Sequence, residues 1–179
     1  MKGIVFTEFL EMVEAQFGIV IADRIINEDQ LESGGVYTSV GTYNHAEMVQ
    51  LVTNLSKETE LPVHDLLRAY GKHFFTMATV SYQQFFHSIE DSFQFLSGIE
   101  NYIHVEVLKL YPDAELPRFE INQVSSNELI MIYHSERRLA HFAQGLIEAC
   151  VDYFNELIDL EVIDILGDGS EVKFILVKK

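Results

Sequence analysis

Tyr133, Ser135 and Arg137 stand two residues apart, and His104 precedes them by 29 positions. On an extended segment alternate residues share a face. Two hydroxyls and a guanidinium would then converge on one side, which suits a ligand bearing paired carboxylates or phosphates. A histidine that can hold a metal, joined to a clamp for two carboxylates, describes a haem site. Each half read alone is less specific. His104 has Val107, Leu108 and Tyr111 at helical spacing. By itself it is a core histidine on a well-buried helix, one nitrogen satisfied by a carbonyl or water. Tyr133-His134-Ser135-Glu136-Arg137 by itself reads equally as a polar turn at a strand end.

Other chemistries find less support. His45, His64, His73, His87, His134 and His141 form no HExxH pair or readable carboxylate–histidine set, and His134 and His141 flank charged residues that place them near the surface. Ser135 beside His134 lacks the strand–turn–helix elbow and glycines of a hydrolase. No general acid–base pair at convincing spacing is present, so no catalytic residue is assigned and no enzyme is expected. Cys150 is the single cysteine, which excludes an intrachain disulfide or CxxC site and leaves an inert core thiol.

The elements that must position these residues divide in two. The pattern predicts helices over 4–17, through Ile21, Ile25 and Ile26, from an Asn44 cap with Glu47 in capping-box position, and from Pro62 through Phe75. Short helices over 82–87 and 89–96 follow, then Gly98 and the His104 segment 99–111, closed by Pro112. Periodicity then switches to strands over 118–124 and 127–134, a helix over about 138–157, and strands 160–165 and 171–177 around Gly167-Asp168-Gly169-Ser170. In the second strand Leu129, Met131 and Tyr133 share one face and Ile130, Ile132 and His134 the other. The expected fold is α+β. A helical part, 1–115, precedes a ββαββ part, 116–179, with a four-stranded antiparallel sheet, all in a single domain.

Composition bounds the partners. The chain has 179 residues, 48% of them hydrophobic, with 13 Phe and 8 Tyr that could wall a large flat cavity or fill an aromatic core. A net charge of −16 makes nucleic acid and anionic membrane poor partners. The start, broken by Glu8, Glu11 and Glu14, is neither a signal peptide nor a span, and no later run is long enough to cross a membrane. A cytoplasmic protein is expected.

Taken together, the MKG-I-V start, the segment IHVEVLKLYPDAELPRF, the YHSER motif and the closing helix and hairpin resemble the haem-nitric oxide/oxygen-binding (H-NOX) family over essentially the whole chain. These are bacterial relatives of the haem domain of soluble guanylate cyclase. The resemblance implies haem b held non-covalently between the helical and sheet parts. It implies His104 as proximal iron ligand, and Tyr133, Ser135 and Arg137 on the propionates. Pro117 takes the place of the proline that presses on the porphyrin. Phe142, nine residues after Tyr133, occupies the place where O₂-holding members carry a tyrosine, and a phenyl ring cannot donate a hydrogen bond. Phe74, Leu146 and Ile4 complete an expected apolar distal wall. The implied function is a nitric oxide sensor, also open to CO, that signals in trans to a histidine kinase or a cyclic-di-GMP enzyme. The alternatives are an O₂-binding haem sensor or carrier, and a ligand-binding module without haem.

Overall fold

Apolar side chains at Phe6, Phe9, Met12 and Val13 are fully buried along one stripe of the first helix, α1 (Gly3–Phe17). Gly18, at φ 88°, stops it in a backbone conformation that side chains resist, and Ile21 and Ala22 donate back to Gly18 to start α2 (Ile19–Asn27) at once. The computed structural model describes residues 1–28 and 30–179, which fall into two compact units, Met1–Tyr70 and Gly71–Lys179. The boundary lies within α4.

In the first unit Asn44 caps α3 (His45–Thr59) by accepting from Ala46 N at 3.0 Å. Glu47 makes no capping box. Its carboxylate, 4% exposed, takes hydrogen bonds from Ser33 Oγ at 2.5 Å and Tyr37 Oη at 2.7 Å, fastening the preceding loop. Burial pushes the Tyr37 phenol above its ordinary range. Leu66, Leu67 and Tyr70 bury the first half of α4 (Val63–Ser81), and the Tyr70 hydroxyl donates to Val5 O at 2.5 Å.

The second unit holds the rest of α4, a short turn of helix at Gln83–Phe86, α5 (Ser92–Ser97), a π turn at Ile99–Ile103, α6 (His104–Leu110), α7 (Ala140–Tyr153) and four strands. These strands are β1 (Arg118–Gln123), β2 (Glu128–His134), β3 (Ile158–Asp164) and β4 (Glu171–Lys178), antiparallel in the order β1-β2-β4-β3. The α+β class and the ββαββ order match the expectation. Leu129, Met131 and Tyr133 join Val172, Phe174 and Leu176 on the buried face, against Ile147 and Cys150 of α7. The other face carries Ile130, Ile132 and Ile175, half-buried, with Ile163 and Val177, 40% and 42% exposed.

One expectation shifts here. The last helix is shorter than 138–157, because Arg138 at φ 55° and Asn155 at φ 53° bracket it in left-handed conformations. Its buried stripe runs through Ala140, Ala143, Ile147 and Cys150, with Phe142 and Leu146 beside it. Helices α4 and α7 approach closely. A Cβ on Gly71 would lie 2.2 Å from Phe142 O and 2.9 Å from Gly145 Cα. Lys178 closes the far end of the sheet, donating to Asp91 Oδ2 at 3.1 Å and pairing with Glu156 Oε1 at 2.7 Å. Among the described residues no helix is long and apolar enough to cross a membrane.

Candidate cofactor site

His104 begins α6, directly after the π turn, and its N–H reaches back to Ile99 O. No residue of α6 is fully buried, contrary to the expectation of a buried helix: Val105 is 44% and Leu108 41% exposed. Their apolar side chains line a recess of about 270 Å³ instead, together with Glu100, His104, Leu116 and Pro117. His104 itself is mostly covered, with a side chain 16% exposed. Its Nδ1 stands 3.2 Å from Glu100 Oε1, so the imidazole's partner is a carboxylate and not the carbonyl or water that the sequence suggests. Burial holds the imidazole below its ordinary range, a pull that Glu100 offsets only in part. With Nδ1 engaged, Nε2 is the nitrogen left for a metal, in the neutral form that ligation requires.

The clamp residues lie at the end of β2 and in the turn beyond it. Strand alternation accounts for Tyr133, 2% exposed on the core face, and ends at His134. Ser135 and Arg137 are brought back by a turn in which Arg138 N donates to Ser135 O and Arg137 N to Ser135 Oγ, each at 3.2 Å. Tyr133 Oη accepts from Leu139 N at 3.1 Å. Burial raises the Tyr133 phenol, opposed by Ser135, the Leu139 N–H and the Arg137 charge. These three side chains therefore converge, though by a turn and not by extended alternation. The Arg137 guanidinium grips Glu115, donating through Nη1 to its carbonyl at 2.5 Å and through Nη2 to its carboxylate.

One segment draws both halves together. Residues 111–117 carry Glu115 to Arg137 and Pro117 to the recess beside His104. Phe119, next in β1, has ring centroids 6.2 Å from His104 and 5.5 Å from Tyr133, its register partner on β2. Phe142 on α7 meets Phe74 on α4 edge-to-face, centroids 5.7 Å apart, and Leu146 packs partly buried against the core. Ile4 belongs to the other unit, on the first turn of α1, where its N–H donates to Ser39 O at 2.9 Å. His134 is half-buried on the opposite sheet face between Glu120 and Glu171, at 3.5 and 3.7 Å, and His141 is exposed. Among the described residues no three His, Cys, Asp or Glu side chains gather to hold a bare metal ion. The arrangement offers one imidazole nitrogen in an apolar recess and one polar cluster in which Arg137 pairs with a carboxylate.

The haem-NO-binding family model matches residues 2–162. The chain belongs to this family. Solved H-NOX structures align along its whole length. The Fe(II) unliganded H-NOX protein from K. algicida is 47% identical with a TM-score of 0.95, covering 100% of this chain and 97% of that one. The H-NOX from Shewanella woodyi in the Fe(II)CO state is 38% identical, TM-score 0.84, covering 100% and 95%. That from S. oneidensis in the Fe(II)NO state is 26% identical, TM-score 0.91, covering 100% and 99%. H-NOX domains are haem-based gas-sensing modules, so this chain is an H-NOX domain with haem iron as the implied cofactor. Glu100 is the residue that reading the sequence missed at this H-NOX site. Its signal was an acid four residues before the histidine, one turn away on a helix.

Proposed function

We propose that this H-NOX domain binds haem b non-covalently and senses nitric oxide. In this reading His104 Nε2 is the proximal ligand, and Tyr133, Ser135 and Arg137 take the propionates. Pro117, in the recess beside His104, presses on the porphyrin. The observation that carries it is the pairing of Arg137 with the Glu115 side chain, the same carboxylate chemistry a propionate presents. The donor set fits the group, with a neutral imidazole in an apolar recess and a cationic clamp at the turn beyond β2.

When bound, ferrous haem supplies a coordination position that takes NO, CO or O₂. The chain's own residues set the preference. Bound O₂ draws strongly on a hydrogen-bond donor, NO much less, and Phe142, Phe74, Leu146 and Ile4 are apolar. Their assignment to the distal wall excludes O₂ by withholding a donor. On the proximal side, His104 rides on α6 and is joined through Glu100 to the backbone of β1. A partner that prefers one placement of α6 over another reads the signal, by no more than its differential affinity for the two. A histidine kinase or a cyclic-di-GMP enzyme acting in trans from the cytoplasm is the proposed receiver, and no catalysis is assigned to this chain.

Absorption spectra of the ferrous protein alone, with NO and in air test this. We expect a strong Soret band that NO shifts and air leaves unchanged, and Phe142→Tyr to make the spectrum respond to air. A colourless protein that takes up no haem refutes the cofactor. A stable ferrous–oxy spectrum of the wild type in air, distinct from the ferric one, refutes the exclusion of O₂.

A further inference from the structure

The π turn at Ile99–Ile103 sets the geometry around Glu100. Tyr102 and Ile103 both donate to Gly98 O, at 2.8 and 3.1 Å, and His104 N reaches Ile99 O, so the helix carries an extra residue in the turn leading to His104. Such insertions re-aim side chains and recur at functional sites. Here Glu100 and His104 both line the recess. One oxygen of Glu100 then meets two donors from different elements. It lies 3.2 Å from His104 Nδ1 and accepts the backbone N–H of Phe119 at 2.7 Å. That N–H comes two residues after Pro117, so a single carboxylate oxygen ties the imidazole to the strand that follows the proline.

We propose that Glu100 is the positioning residue of the His104 ligand. Its carboxylate accepts from Nδ1–H, which fixes the tautomer, aims Nε2 and makes the imidazole a stronger donor to iron. Its second bond, to Phe119 N, anchors that geometry to β1. The inference rests on His104 being the ligand. A carboxylate behind a ligating histidine raises its basicity and orients its ring, and loss of such a partner costs 10–100-fold in affinity. The effect is strengthened where burial lowers the local dielectric, as it does around an imidazole 16% exposed.

Glu100→Gln keeps an acceptor of the same shape without the charge, and Glu100→Leu removes both. The readouts are the iron–histidine stretching band of the ferrous holoprotein, haem loss to excess apomyoglobin, and the ¹⁵N shifts of His104 in the apoprotein. We expect the band to fall in frequency in the order wild type, Glu100→Gln, Glu100→Leu, and haem loss to quicken about 10–100-fold in Glu100→Leu. We also expect the Nδ1–H tautomer to give way to a mixture. An unchanged band and an unchanged tautomer in both variants overturn the proposal. His104→Gly separates this from the ligand assignment: if its ferrous spectrum equals wild type, His104 is not the ligand and both readings fall. If that variant loses the band while Glu100→Gln and Glu100→Leu retain it unaltered, only the role of Glu100 is refuted.

Discussion

A methyl group at residue 71 tests the helix approach that seats Phe142, and the sign of its effect is decided by backbone contacts with α7. Gly71 is buried within α4, where alanine is ordinarily favoured over glycine by about 1 kcal/mol. A Cβ there would stand 2.2 Å from Phe142 O, against the 3.0 Å that real Cβ atoms essentially never breach. Relief requires α4 and α7 to part by about 0.8 Å at this point. The obstacle is helix backbone, so no side chain can swing aside. Overpacking of this kind costs about 1–3 kcal/mol. After the gain in helix propensity we expect Gly71→Ala to lose up to ~2 kcal/mol. At ~2 kcal/mol per molar urea, the unfolding midpoint should fall by up to about 1 M. Because the clashing carbonyl belongs to Phe142, the aromatic near-ultraviolet dichroism from the Phe74–Phe142 pair should change as well. A midpoint above wild type with unchanged dichroism would show that the two helices do not approach as described.

Two further outcomes follow from contacts away from the cofactor. Tyr70→Phe deletes the hydroxyl that donates to Val5 O inside a fully packed unit, and should cost about 1–1.5 kcal/mol in urea unfolding; no loss would mean the carbonyl is satisfied without it. In the Lys178 cluster burial alone would raise Asp91 and Glu156, but hydrogen bonds and the Lys178 ammonium hold both below their ordinary range. A depressed carboxyl stabilises the fold above its unfolded pKa, about 4, and loses that contribution as pH falls through the lower folded value. Lys178→Met should therefore lose less stability than wild type between pH 6 and pH 3, measured as urea midpoints, and equal losses would dissociate the cluster from acid sensitivity.

The order of elements was legible because hydrophobic spacing changes from helical to alternating near Arg118, and that change is a backbone property the chain cannot disguise. The clamp was legible by residue type but not by geometry. Alternation describes Tyr133, whereas Ser135 and Arg137 are returned by a turn held through hydrogen bonds to Ser135, which no two-residue period encodes. Apolar residues on α6 suggested burial, yet Val105 and Leu108 serve a recess wall, and periodicity cannot tell a wall from a core. Glu100 and Glu47 were obscured by company. Among 28 acidic residues, two that turn inward look like the rest, and only the donors they meet set them apart.

The second face of the sheet bears on how this protein behaves as a solute. Ile130, Ile132, Ile163, Ile175 and Val177 place aliphatic surface on the side opposite the core, interleaved there with Glu120, Glu128, Asp159, Glu161 and Lys173. What keeps copies apart is long-range repulsion from a net charge of −16. That protection is conditional. It shortens to a reach of about 8 Å at physiological ionic strength, and it fades toward the isoelectric pH of about 4.6 that the composition implies. Charge thus governs colloidal stability in this chain, on the sheet face as elsewhere, so acid and salt should cloud its solutions before they unfold it.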